Sequence, residues 1–199
     1  MSLLWGAGSP PCWRVQITLE EKRLRGYKHR LLSFERGEHK SQEVLEINPR
    51  GQNQFKSQGN KLIPDSPAEQ ALLFQRLMEG LGLTDKLNSV VYYDWFVPEE
   101  ERCDSAVKRN KEALAAELKL WEGYLEKAAA GSYLAGAFSL ADVIVFPSVA
   151  YAFRFGLSVG RFPKLAKYYR LLKDRPSIKA SWPPHWLDSP QGYDILKDL

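Results

Sequence analysis

The side chains best suited to chemistry lie in the stretch Trp5-Gly6-Ala7-Gly8-Ser9-Pro10-Pro11-Cys12-Trp13-Arg14. A serine hydroxyl and, three residues later, a cysteine thiol follow a glycine-rich turn and stand at the head of a helix-forming run. Leu3, Leu4 and Trp5, bounded by Gly6, read as a short buried strand. Gly6, Gly8, Ser9 and Pro10 supply turn chemistry. Pro11 is suited to opening a helix, because its missing N–H would have no intrahelical partner there. Ser9 is therefore expected in a strand-to-helix turn, its hydroxyl beside a cluster of unpaired helix N–H groups. Such a place stabilises an anion: a phosphate, a carboxylate or a thiolate. The plainer alternative is that Ser9 only caps the helix, and on local pattern alone it is the weightier reading.

The elements that must hold this turn follow from apolar periodicity. Val15, Ile17, Leu19 and Leu24 carry the first helix toward Gly26, residues 27–34 read as a second strand, and Ser41 can cap a short helix through Ile47 that Asn48-Pro49-Arg50-Gly51 ends. From Gln52 to Gly59 the chain is polar and offers no strand, although a two-stranded parallel sheet leaves its edges open. Residues 61–67 read as a Pro-containing linker between a domain over 1–60 and an all-helical domain over 68–199. In the latter, Leu72, Leu73, Leu77, Leu81 and Leu83 begin an apolar pattern, with a kink expected at Gly80 and Gly82, that reaches Tyr92, Tyr93 and Phe96. Pro98-Glu99-Glu100-Glu101 reads as the start of the next helix, whose apolar face is Val107, Leu114, Leu118, Trp121 and Leu125, with residues 128–131 ending it. Phe138-Ser139-Leu140-Ala141-Asp142-Val143 reads as a capping box with a hydrophobic staple, which assigns Asp142 a structural role. The helix after it is apolar nearly all round and should be the centre of a bundle. Further helices are expected over 162–172 and from Arg175-Pro176-Ser177, with the aromatic tail 182–186 packing back.

Composition narrows the class of protein. The chain has 199 residues, 44% hydrophobic and 26% charged, with a formal charge of +4. Basic and acidic residues are interspersed, as at Glu20-Glu21-Lys22-Arg23, which argues for solvated faces and against a nucleic-acid footprint. Cys12 and Cys103 make no disulfide framework or metal pattern, so a reduced, cytoplasmic setting without a metal is expected. Neither a signal peptide nor a membrane span is expected.

Three motifs in order, Gly-Ser-Pro-Pro-Cys-Trp-Arg-Val, Asn-Pro-Arg-Gly and Ser-Leu-Ala-Asp before a buried helix, resemble the cytosolic glutathione transferases over nearly the whole chain. Gly-Glu-His-Lys-Ser-Gln-Glu-Val and Arg-Pro-Ser-Ile-Lys-Ala-Ser-Trp-Pro-Pro-His-Trp are most similar to the rho class, with theta, delta and zeta enzymes as relatives. The resemblance implies an α/β thioredoxin-like N-terminal domain, an all-α C-terminal domain and a homodimer. Glutathione is then a co-substrate, no further cofactor is implied, and a hydrophobic electrophile is the second substrate. Ser9 matches the serine whose hydroxyl holds the glutathione sulfur as thiolate. Pro11, Trp13, His39, Lys40 and Gln52 match glutathione-contacting positions, His39 and Lys40 reaching its glycine carboxylate. Tyr92, Trp95, Phe96, Trp182 and Trp186 are candidates for the acceptor site, although aromatic stripes are more often packing. Cys12 stands where a redox-active relative would use a thiol, but no second cysteine is near to resolve an intermediate.

The chain departs from the family after Gln52. The Val-Pro that begins the third strand, the fourth strand and the Glu-Ser pair opening the next helix are not there, and roughly two dozen residues of a ββα unit are absent. The expectation is a thioredoxin-like domain lacking strands 3 and 4 and a weakened glutathione site. The alternative function is a non-catalytic or weakly active binding and dimerisation module.

Overall fold

The computed structural model describes residues 2–47, 61–128, 133–189 and 192–199. The chain divides into two compact units: Met1–Lys61 with Asp174–Pro190, and Leu62–Lys173 with Gln191–Leu199.

In the first unit, strand β1 (Ser2–Trp5) leads into α1 (Pro10–Glu21), then β2 (Lys28–Leu31) and α2 (Gln42–Ile47). The two strands pair in parallel with Leu3 opposite His29, and they are the strands among the described residues. A parallel pair requires a crossover connection, and α1 supplies it. Its buried face is Trp13, Ile17 and Glu21, spaced four apart, together with Leu19. The helix stops at Glu21, short of the expected Gly26. Arg23 takes φ 50°, Leu24 N–H donates to Leu19 C=O at 3.0 Å, and Arg23 N–H donates to Glu20 C=O at 3.0 Å. This left-handed cap satisfies carbonyls that the helix end would otherwise orphan.

The second unit is helical: α3 (Pro67–Val91), α4 (Tyr93–Phe96), α5 (Asp104–Lys127), α6 (Leu140–Arg154) and α7 (Pro163–Lys173). Helix α3 runs unbroken through Gly80 and Gly82. Gly80 serves close packing, since a Cβ there would lie 2.5 Å from Val145 Cγ2 on α6. Helix α6 is the centre of the bundle, with Val143, Val145, Phe146, Val149 and Ala150 buried. Pro98-Glu99-Glu100-Glu101 does not start α5. Glu99–Glu101 form a separate 3-10 turn, and α5 begins at Asp104 after an extended Cys103. The segment 174–190 carries α8 (Pro176–Ala180) and α9 (Pro184–Asp188) and belongs to the first unit.

Candidate functional site

Ser9 sits in the turn between β1 and α1, as its neighbours demand. A Cβ on Gly6 would overlap the Phe34 ring, and Gly8 adopts φ 75°, so both positions favour glycine. Ser9 N–H donates to Gly6 C=O at 3.3 Å, and the residue takes the extended N-cap conformation. Its Oγ accepts from Cys12 N–H at 3.5 Å. Among the described residues the hydroxyl proton is not engaged, so Ser9 keeps a donor for a ligand. The expected cluster of unpaired N–H groups is absent. Pro10 and Pro11 have no N–H to offer, and the remaining N–H groups of Ser9 and Cys12 are both engaged. The site thus presents one hydroxyl donor and the end of a helix dipole, a narrower device than an amide nest. Cys12 is half-buried and its Sγ accepts from Gly6 N–H at 3.4 Å, so it braces the turn.

The other candidates fall into distinct places. His39 and Lys40 occupy a 3-10 turn, Glu38–Lys40, entered through Gly37 at φ 67°. The His39 ring meets Phe34 edge-on at 5.0 Å, so the ring that fills the space over Gly6 also braces His39. Its Nδ1 is buried without a partner, whereas Lys40 is exposed. Pro11 is exposed on the first turn of α1. Trp13 is 1% exposed: its indole N–H donates to Ser181 Oγ at 3.1 Å, and Trp182 and Trp186 meet its ring edge-on at 5.1 and 5.5 Å. The Trp13 and Trp182 rings therefore take part in packing within the first unit. Gln52 and the departure that follows it lie outside the described residues. Tyr92, Trp95 and Phe96 belong to the second unit, where Trp95 is 74% and Phe96 69% exposed.

Two buried acids hold the framework. Asp142 accepts from Ser139 N–H at 2.9 Å, Ser139 Oγ at 3.1 Å, Leu134 N–H at 3.1 Å and Tyr168 Oη at 3.1 Å. Burial pushes its carboxyl up to about 6 against these four bonds. Glu21 carries no motif in the sequence, yet it is 4% exposed and receives a two-pronged Arg175 contact at 2.6 and 2.9 Å, with the Ser177 hydroxyl donating to the same carboxylate. The one sequence signal for it is its place on the Trp13–Ile17 face of α1. No group of described residues has the composition of a metal site, and no described helix is long and apolar enough to cross a membrane.

Family models match both parts of the chain. "Glutathione S-transferase, N-terminal domain" covers residues 6–53 and "Glutathione S-transferase, C-terminal domain" covers 84–182. The sequence is 62% identical to glutathione S-transferase A of Pleuronectes platessa, over all of this chain and 98% of that protein. The chain belongs to the glutathione S-transferase family. Among solved structures it is similar to a glutathione S-transferase from the Antarctic clam Laternula elliptica, with TM-score 0.83 and 32% identity over 99% of this chain and 98% of the other. A glutathione S-transferase of Methylobacillus flagellatus with glutathione bound shares the fold, with TM-score 0.75 and 20% identity over 92% and 98% of the two chains. The architecture is the transferase fold the resemblance implied: a thioredoxin-like β-α-β opening with few strands, then a helical domain.

Proposed function

We propose that this transferase conjugates glutathione to hydrophobic electrophiles, with Ser9 holding the attacking sulfur as thiolate. The observation that carries the reading is the Ser9 hydroxyl at the β1–α1 turn, which accepts from Cys12 N–H and keeps its own proton. A donor aimed at sulfur favours thiolate over thiol, and the dipole of α1 adds to it. The thiolate forms the S–C bond, so Ser9 stabilises charge and is not the nucleophile. His39 and Lys40 are the proposed contacts for the glycine carboxylate. Removing one such donor costs about a hundredfold in rate. Ser9→Ala is therefore expected to lower conjugation of benzyl chloride by that order while retention on immobilised glutathione persists. Equal turnover in the two proteins overturns the role of Ser9.

The finer assignments are rho-class membership, a homodimer, a cytoplasmic setting and a part in clearing foreign electrophiles, and they rest on the motifs around Ser9 and at 175–186. The domain limits 1–60, 61–67 and 68–199 are likewise proposed as divisions along the sequence, within which residues 174–190 pack with the first unit. A missing ββα unit after Gln52 is supported by alignment length: 222 aligned positions against 199 residues (222 − 199) leave 23 positions with no counterpart here. Glutathione affinity below that of the flatfish relative is the expected consequence. Intact mass of the native protein together with titration by glutathione checks it: a mass near 22.7 kDa with affinity equal to the relative's excludes a weakened site.

A further inference from the structure

Phe34 touches both the turn that carries Ser9 and the turn that carries His39. A Cβ on Gly6 would overlap its ring, and the His39 ring meets it edge-on at 5.0 Å. All of these residues belong to the first unit. The two turns are held differently. Gly6 N–H donates to Cys12 Sγ at 3.4 Å and Gly6 C=O accepts from Ser9 N–H at 3.3 Å, so the platform under the Phe34 ring is bonded on both sides. His39 stands in a three-residue 3-10 turn with no side-chain cap, and its Nδ1 is buried without a partner among the described residues. The edge-on contact with Phe34 is the interaction that orients its imidazole.

The backbone that carries both rings is closed on itself. Ser33 N–H donates to Glu38 Oε2 at 2.8 Å, Glu38 N–H to Ser33 C=O at 3.1 Å and Gly37 N–H to Phe34 C=O at 3.0 Å. The Phe34 ring thus spans from a braced loop to a braced turn. With Nδ1 buried, an imidazole contact to a ligand is made through Nε2, and the ring plane sets its direction. Glutathione carries its sulfur and its glycine carboxylate on neighbouring residues. Two contacts made from separate loops serve this one tripeptide best when their separation is fixed before it binds.

We propose that Phe34 is a positioning residue: seated on Gly6, it holds the His39 imidazole where a thiol held at Ser9 presents a glycine carboxylate. The inference rests on the reading of Ser9 and His39 as glutathione contacts and deepens it, by naming what makes the site prefer glutathione to a shorter thiol.

The probe pair is glutathione and γ-glutamylcysteine, which has the same thiol and γ-glutamyl group but no glycine. Calorimetric titration of the full chain gives the dissociation constant of each. The wild type should bind glutathione roughly tenfold more tightly, as a hydrogen bond to a charged group requires. Phe34 is 40% exposed, so Phe34→Leu leaves the core of the unit in place and removes only the ring. It should lower the preference for glutathione to the level of His39→Ala while affinity for γ-glutamylcysteine stays unchanged. Phe34→Leu combined with His39→Ala should lose no more glutathione affinity than His39→Ala alone. A preference that survives Phe34→Leu overturns the inference, and so do additive losses in the double variant. Equal losses for the two thiols in Phe34→Leu mark a merely structural ring and overturn it as well. A wild type that binds the two thiols equally, or neither, overturns the carboxylate contact at His39 itself, and the role of Phe34 falls with it.

Discussion

The bond from Cys12 N–H to Ser9 Oγ spans 3.5 Å, longer than the usual range of roughly 2.7–3.2 Å. It restrains the hydroxyl without consuming its proton, so capping and chemistry draw on different halves of one group. Ser9→Ala should therefore lose only about 0.5 kcal/mol of stability in urea unfolding, at the low end for a helix cap. A loss near 2 kcal/mol would mean the hydroxyl is mainly structural. Asp142 calls for a pH experiment. Its folded-state pKa lies near 6 against an ordinary 3.8, so the folded protein keeps a proton that the unfolded chain has released. Its contribution to stability is then fully present below pH 3.8 and is lost as pH rises through about 6. The advantage of the wild type over Asp142→Asn should shrink by roughly 2 kcal/mol between about pH 4 and 7, since each tenfold change in proton affinity is worth about 1.4 kcal/mol. A difference flat with pH would show that the four donors fully offset burial, and one that grows with pH would show that they outweigh it. Ser9 and Asp142 were legible in the sequence because turn and cap chemistry is local. The missing N–H cluster is legible there too, since two prolines stand at the start of α1 and a helix terminus can hold an anion only with the donors its residues possess.

Helices α3 and α6 meet where Gly80 faces Val145, and that contact can be tested as a pair. Alanine is the better helix former by about 1 kcal/mol. The 2.5 Å approach to Val145 Cγ2 should nevertheless make Gly80→Ala destabilising by about 1–3 kcal/mol. Adding Val145→Ala removes the clash, so the double variant should lose less than the sum of the two single ones. Additive losses would mean α6 shifts freely. The packing role of this glycine has no local signature in the sequence, because the neighbour that requires it lies 65 positions away (145 − 80). Pro98-Glu99-Glu100-Glu101 misled because its signal is generic. Proline followed by acids suits any first turn, and here that turn is a 3-10 turn that ends before Cys103. The apolar stripe of α5 was legible because its residues recur with the helix period, and Leu114, Leu118 and Trp121 are buried as that period requires.

At the scale of the chain, the membership of residues 174–190 matters most. Arg175 reaches Glu21, Ser181 accepts from the Trp13 indole, and Trp182 and Trp186 surround the Trp13 ring, so the N-terminal unit is completed by a late segment. Arg175→Met strands a buried carboxylate and should cost about 3–5 kcal/mol. It should also shift tryptophan emission to the red and speed proteolysis within 174–190. Unchanged emission and cleavage would show that the aromatic trio holds the segment without the ion pair. Pairing across so long a separation has no local signature, so the sequence offered only an acid on an apolar face and an aromatic tail. The same arrangement sets an order on biosynthesis. Residues 2–47 emerge from the ribosome first, yet Trp13 and Glu21 wait for partners translated well over a hundred residues later, while the core of the helical unit is already synthesised. Vectorial synthesis favours the segment made first. Here the nascent N-terminal unit keeps its Trp13 indole and Glu21 carboxylate in water until residues 174–186 have been made, and it closes only then.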